Sequence, residues 1–354
     1  MNDSKFRLIS YFKNSIHKKI RPLFPKISQH VSKYLSVGLL VILILYGIES
    51  TQGRYYLPQP HQPPLLFITH CEDNLRKATL KALDRAQHSV RVHMYTCNDS
   101  KILKKLNQIA KNQISVSIKH DASCSQQGFK QLYAPIQKYP SDLKRLMHKK
   151  ILCVDEQDVW IGSANWTHAS LDAHENILVA LHCPELAHTL SVGKTHSHFT
   201  VGGQRIEFWD FPKQGKEGLE RLLTLIAESQ HSIRLAMFAL THPLLVQTLI
   251  QAHQRGVRVE IILDTAMTKS VNLQAYKHLT QASVPVHLHT GLGTLHYKLA
   301  WIDNLLIEGS ANWTQAAFTR NEDCLLILHD LTPLQTRKLK SFWKALQAKS
   351  AQHK

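Results

Sequence analysis

Met147-His148-Lys149-Lys150-Ile151-Leu152-Cys153-Val154-Asp155, followed after six residues by Gly162-Ser163-Ala164-Asn165-Trp166-Thr167, decides the reading of the chain because it occurs twice. The second copy, Leu295-His296-Tyr297-Lys298-Leu299-Ala300-Trp301-Ile302-Asp303, leads after five residues to an identical hexapeptide, Gly309 to Thr314. Both fit H-x-K-x-x-x-x-D followed by G-S-x-N, and each has a glutamate beyond, Glu175 and Glu322. The histidines are 148 residues apart and the glycines and glutamates 147, which marks an internal duplication.

Ile151 to Val154 and Leu299 to Ile302 are apolar runs of strand length, and Val159 to Ile161 and Leu305 to Ile307 read as a second strand after a turn. Alternate side chains of a strand share a face, so His148 and Lys150 point together, as do His296 and Lys298. Two such sets facing each other give two imidazoles, two ammoniums and two carboxamides. That inventory suits a phosphodiester: lysines and asparagines hold the non-bridging oxygens, one histidine attacks phosphorus and the other protonates the leaving oxygen.

These residues resemble the double signature of the phospholipase D superfamily, and the likeness extends over roughly residues 65 to 345, including Ser232 to Asp264 ahead of the second motif. The resemblance implies an α/β fold of two duplicated halves, each a mixed β-sheet flanked by helices, packed as a pseudo-dimer with the active site at their interface. It implies a covalent phosphohistidine intermediate without metal or cofactor. Lys150, Lys298, Asn165 and Asn312, with Ser163 and Ser310, would hold the phosphate. Glu175 and Glu322 would orient the histidines, and Asp155 and Asp303 would support the motif structurally. By the same resemblance His148 is expected as nucleophile and His296 as general acid.

The net charge of +17 is uneven: residues 1–33 carry eight Lys or Arg against Asp3 alone, leaving about +10 for the rest. Tyr34 to Ile48 is an uncharged, mostly aliphatic run, shorter than the ~20 residues of a comfortable span and without a convincing cleavage site. The charge excess before it predicts an uncleaved, single-pass signal anchor with the body outside the cytoplasm. Gly53 and four prolines make residues 49–64 a tether. The expected order is thus a basic segment (1–33), an anchor (34–48), a tether (49–64) and two halves, 65–200 and 201–354.

Strand and helix alternate in the same order through both halves, and Leu190 to Gln204, with Gly193, Gly202 and Gly203, reads as the connection. The phrase Gln87-His88-Ser89-Val90 returns as Gln230-His231-Ser232-Ile233. Two motifs in one chain predict a monomer that is its own pseudo-dimer.

Among 23 histidines, His196 with His198 and His287 with His289 alternate as metal pairs would, but no neighbouring acid or cysteine completes a set. The six cysteines show no metal spacing, and Cys153 and Cys324 fall in apolar strands where thiols are usually buried.

Chemistry of this kind is shared by enzymes on phospholipids and on nucleic acids. The anchor and basic leader favour a membrane-associated phospholipase D-like hydrolase. Phe129, Leu132, Tyr133 and Tyr139 among Lys130, Lys138, Lys144 and Arg145 fit either an interfacial segment or a surface helix with a buried stripe. An endonuclease is the alternative, supported by the basic body and weakened by the absence of an aromatic ladder for stacking bases. A phosphatidyltransferase and an inactive binding relative complete the range, and two intact motifs weigh against the last.

Overall fold

The computed structural model describes residues 57–69, 71, 73–123, 126–142, 144–195 and 197–352. The expected basic segment and anchor, and most of the tether, lie outside these residues. Within them no helix is long and apolar enough to cross a membrane.

The first half forms seven strands: β1 (Leu65–Ile68), β2 (Ser89–Met94), β3 (Ser115–His120), β4 (Gln137–Pro140), β5 (Lys150–Val154), β6 (Asp158–Gly162) and β7 (Ile177–His182). They make one sheet in the order β1-β7-β6-β5-β2-β3-β4. The second half adds β8 (His198–Val201), β9 (Gln204–Asp210), β10 (Ser232–Met237), β11 (Arg258–Asp264), β12 (Val286–His289), β13 (Lys298–Ile302), β14 (Leu305–Gly309), β15 (Cys324–Leu328) and β16 (Ser350–Gln352). Its sheet runs β16-β12-β11-β10-β13-β14-β15-β9-β8, the same seven-strand pattern with one strand added at each edge. Parallel pairs (β2 with β3, β10 with β11) adjoin antiparallel ones (β2 with β5, β10 with β13), so both sheets are mixed.

The sheets pack on each other and carry helices on their outer faces. Ile151, Cys153, Ile161 and Val179 from the first sheet share one core with Leu299, Trp301, Leu306 and Leu326 from the second. Val92, Leu152 and Trp160 face outward onto the helices Leu75–Asp84 and Ser100–Lys111. Leu235, Ala300 and Ile307 do the same beneath Gly215–Ala227 and Pro243–Gln254. Every residue of β5 and β13 is buried, which is why these strands read as unbroken apolar runs rather than alternating ones. The helix Pro333–Ala348, started by a Thr332–Gln335 capping box, returns to the first half, where Lys338 Nζ meets Asp73 at 2.7 Å.

Two segments differ from the sequence reading. The stretch read as a plain connection contains β8, which pairs with β9 across Gly202-Gly203; both glycines have positive φ, the backbone such a tight hairpin requires. The aromatic and basic stretch before the first motif is neither a long surface helix nor a single face. A short helix, Gln126–Lys130, and the exposed edge strand β4 share it, with Phe129 and Leu132 buried and Tyr133 and Tyr139 exposed. Cys153, Cys183 and Cys324 are free thiols, and burial pushes Cys97, Cys153 and Cys324 up to about 12.

Candidate active site

Each motif histidine stands just before a central strand and is gripped by the opposite half. His148 donates its main-chain N–H to Glu322 O (2.8 Å), and His296 donates to Glu175 O (3.0 Å). The return bonds, Glu322 N to Leu146 O and Glu175 N to Thr294 O, make each contact a short two-way ladder.

The rings are held across the same boundary. His148 Nδ1 lies 2.8 Å from Asp323 Oδ1, and His296 Nδ1 lies 3.0 Å from Asn176 Oδ1. A carboxylate only accepts, so His148 carries its hydrogen on Nδ1 and leaves Nε2 as a lone pair. Asn176 Nδ2 donates to Ser170 O at 3.0 Å, which turns Oδ1 toward His296 and fixes the same tautomer there.

The glutamates expected against the rings hold the histidines only through the main chain. Their carboxylates go elsewhere: Glu175 Oε1 is 2.8 Å from His289 Nε2, and Glu322 Oε2 is 2.5 Å from Lys119 Nζ. Both glutamates sit in β-bridges, where successive side chains point to opposite faces, so the next residue, Asn176 or Asp323, is the one that reaches the imidazole. Those two were missed because a search for identical residues in both copies passes over a position where the copies differ.

Ser163 and Ser310 are also placed differently from the expectation. Fully buried, they donate to Asn176 Oδ1 (2.9 Å) and Asp323 Oδ1 (2.7 Å), so they steady the histidines' partners instead of pointing at a substrate. Asn165 and Asn312 keep buried carboxamide oxygens without a partner among the described residues; these atoms only accept, so a phosphate oxygen would be met by the Nδ2 side of each amide.

Lys150 and Lys298 are buried, and each donates to the main-chain oxygen of its own motif histidine, Lys298 at 2.9 Å. Tyr95 and Phe238 occupy equivalent positions after β2 and β10, with Lys150 Nζ 5.0 Å from one ring centroid and Lys298 Nζ 4.9 Å from the other. The same rings pack on His148 and His296 at 5.2 and 5.1 Å. An aromatic face can hold a desolvated ammonium without neutralising it.

Asp155 and Asp303 sit in tight turns at positive φ. Asp155 accepts from the main-chain N–H of Gln87, His88 and Ser89, and Asp303 from Gln230, His231 and Ser232. The repeated Gln-His-Ser phrase is therefore the backbone triplet that each motif aspartate caps, at the start of the strand beside it.

Burial, followed by Lys150, lowers His148 below its ordinary 6.5, with Asp323 opposing. His296, buried beside Lys298 and Lys150 with a neutral partner, is held well below 6.5. Burial alone would raise Asp323, but His148 and Lys150 outweigh it and keep the carboxyl below its usual range. Lys298 is pushed well down by burial and by Lys150. Burial and the neighbouring lysines thus disfavour protonation of both rings and of Lys298, and an anion among these groups would favour it. His174 adds a third ring at its edge, 6.1 Å from His296. Of the suspected metal pair, His289 is committed to Glu175.

A family model described as "Cardiolipin synthase, PLD-like domain" matches residues 79–192 and 222–345, one stretch in each half. A mitochondrial cardiolipin hydrolase of Canis lupus familiaris is 36% identical over 117 residues, 33% of this chain and 46% of that protein. A phospholipase D of Rickettsia typhi is 33% identical over 106 residues, 30% of this chain and 52% of that protein. The chain thus spans about half the length of the curated relatives it matches. Phosphatidylserine synthase of Haemophilus influenzae Rd KW20 shares the fold at a TM-score of 0.67 with 13% identity, over 85% of this chain and 90% of that one.

Proposed function

We propose, given that the chain belongs to the phospholipase D superfamily, that it is a phosphodiesterase that hydrolyses a phospholipid through a phosphohistidine. The carrying observation is the crossed pair of histidines, each held at Nδ1 by the opposite half and each beside a buried lysine.

The unequal partners support the roles. His148 Nε2 attacks phosphorus, the bond to the leaving oxygen breaks, and positive charge develops on an imidazole whose other nitrogen faces Asp323. His296 gives its Nε2 proton to the leaving alcohol. Backed by the neutral Asn176, its imidazolium is the stronger acid of the two, and a bound phosphodiester anion supplies the negative charge that lets it be protonated at all. Water then attacks phosphorus, His296 accepts its proton, the P–N bond breaks and His148 is restored. Lys150, Lys298, Asn165 and Asn312 hold the non-bridging oxygens, and Ser163 and Ser310 act through Asn176 and Asp323.

Phospholipid rather than nucleic acid is supported by the names of the curated relatives and by the apolar run at residues 34–48. That run would anchor the chain by a single pass, with residues 49–64 as tether, the body outside the cytoplasm and the chain monomeric. The test is full-length protein incubated, with EDTA present, with vesicles of labelled phosphatidyl lipid and with single-stranded and duplex DNA. Release of the lipid head group alone is expected. Cleavage of DNA alone would make the chain a nuclease, and activity lost to EDTA and restored by zinc or magnesium would overturn the metal-free route.

A further inference from the structure

Leu292 is the most exposed large apolar residue in the described structure, at 111% of its reference area, and it stands four residues before His296. It lies in Thr290-Gly291-Leu292-Gly293-Thr294, the segment leading directly to His296. The segment is seated tightly. A Cβ at Gly293 would fall 1.7 Å from Ala173 O, and one at Gly291 would fall 2.6 Å from the His289 ring. The glycines let the backbone press onto 173–175, next to His174 and His296, and Leu292 is what the pinned loop holds outward. Thr290 is tied at the other side, its N–H donating to Lys349 O at 2.8 Å. One leucine in water is ordinary on a protein surface; one pinned at the rim of a catalytic cleft is not placed by packing.

The equivalent segment before His148 has the complementary character. Counting back from Met147 and Leu295, which hold matching β-bridges, Lys144 takes the place of Leu292. Lys144 and Arg145 are exposed, as is Tyr139 (53%), with Asp142 the acid among them. One side therefore presents an apolar tip, joined through the main chain to exposed Lys349, and the other carries two cations and an exposed phenol.

We propose that these two lips seat the active site on an anionic lipid bilayer, with Leu292 entering the acyl region while Lys144, Arg145 and Tyr139 lie among the head groups. An apolar side chain with flanking cations and an aromatic is the chemistry of an interfacial contact, and a nucleic-acid strand has no use for an exposed leucine between cations. The inference rests on the phospholipid reading and adds how a substrate still in its bilayer reaches buried histidines.

The experiment uses full-length protein reconstituted in vesicles of phosphatidylglycerol and phosphatidylcholine, with a monomeric short-chain phosphatidyl substrate assayed in parallel. L292D should lower hydrolysis of vesicle lipid roughly tenfold or more and leave hydrolysis of the short-chain substrate unchanged. K144E should cost roughly fivefold, on anionic vesicles only and less at high salt. Leu292→Trp should retain vesicle activity and show quenching by brominated lipid beyond that of the wild type. Equal vesicle activity in L292D and wild type, with no added quenching in Leu292→Trp, overturns the docking while the phospholipid reading stands. Failure of the wild type on both lipid forms sinks that reading itself. Lip substitutions that impair only DNA cleavage would assign the surface to nucleic acid.

Discussion

The two halves share a sheet order and ten motif residues, yet they differ where they touch each other's chemistry. Asp323 of the second half backs His148, whereas Asn176 of the first backs His296. Lys149 forms a buried ion pair with Asp210 across the boundary, and its counterpart Tyr297 makes a neutral hydroxyl contact with Thr69 at 2.6 Å. Just before the shared hexapeptide, fully buried Ile161 is matched by fully buried Glu308. The lesson is a division of labour. What both halves share, an imidazole beside a buried lysine, is written twice; what differs, the partner under each imidazole, is written once. Two identical subunits would carry the same residue at both positions, and only a fused chain can place a carboxylate under one histidine and a carboxamide under the other.

Removing the histidines separates the halves most sharply. His148→Ala and His296→Ala should each lower turnover of an ordinary phosphodiester by roughly four orders of magnitude, as losses from a unit of cooperating groups do. A nitrophenyl phosphodiester, whose leaving group needs little protonation, should split them. His296→Ala should accumulate a phosphoenzyme mapped by mass spectrometry to His148, and His148→Ala none. Phosphate found on His296 would exchange the roles.

Next comes the pair of partners. Asp323→Asn should cost about 10² to 10⁴-fold in kcat, because an amide can donate as well as accept and no longer enforces the tautomer with Nδ1–H. Asn176→Asp should cost less and show instead in the pH profile. A carboxylate beside His296 stabilises its imidazolium, so the limb belonging to the acid moves to higher pH. In the wild type the limb from His148 should lie below its ordinary 6.5, since burial and Lys150 keep the ring neutral. Identical profiles for the two variants would remove the distinction between the halves.

Much of this site was legible in sequence because duplication filters out noise: His148, Lys150, Ser163 and Asn165 recur at fixed spacing, and the alternating apolar and helical runs gave both sheets. The orienting residues were not legible. Glu175 and Glu322 recur and Asn176 and Asp323 do not, while the choice of which of two neighbours meets a ring rests on the facing direction of an extended segment, set by its bridge to the other half. Strand β8 escaped because a glycine-rich hairpin has the composition of a loop. The partners of Ser163 and Ser310 depend on contacts within each folded half that spacing along the chain does not encode.

The smallest expected effect concerns Glu308. Both carboxyl oxygens are buried without a partner among the described residues, and burial raises its pKa well above the ordinary 4.5. The folded state therefore keeps a proton that the unfolded chain gives up, and stability falls as pH rises above 4.5. Glu308→Ile, which copies the first half, should stabilise the protein by about 1–3 kcal/mol at pH 7 in denaturant unfolding. The gain should shrink below pH 4.5 to the smaller amount that an unpaired neutral carboxyl costs; a gain independent of pH would mean that Glu308 does not titrate differently in the two states.

The crossed grip on the histidines also has a consequence in time. His148 and Asp323 are separated by 175 residues, so a growing chain carries the complete first motif long before the residue that aims it exists. At the usual pace of synthesis the interval is roughly 9 to 35 seconds. For most of it the nascent chain holds, on the reading proposed above, an attacking histidine with neither its orienting carboxylate nor its acid. On that reading the topology itself keeps the site incomplete until nearly all of the fold has been made.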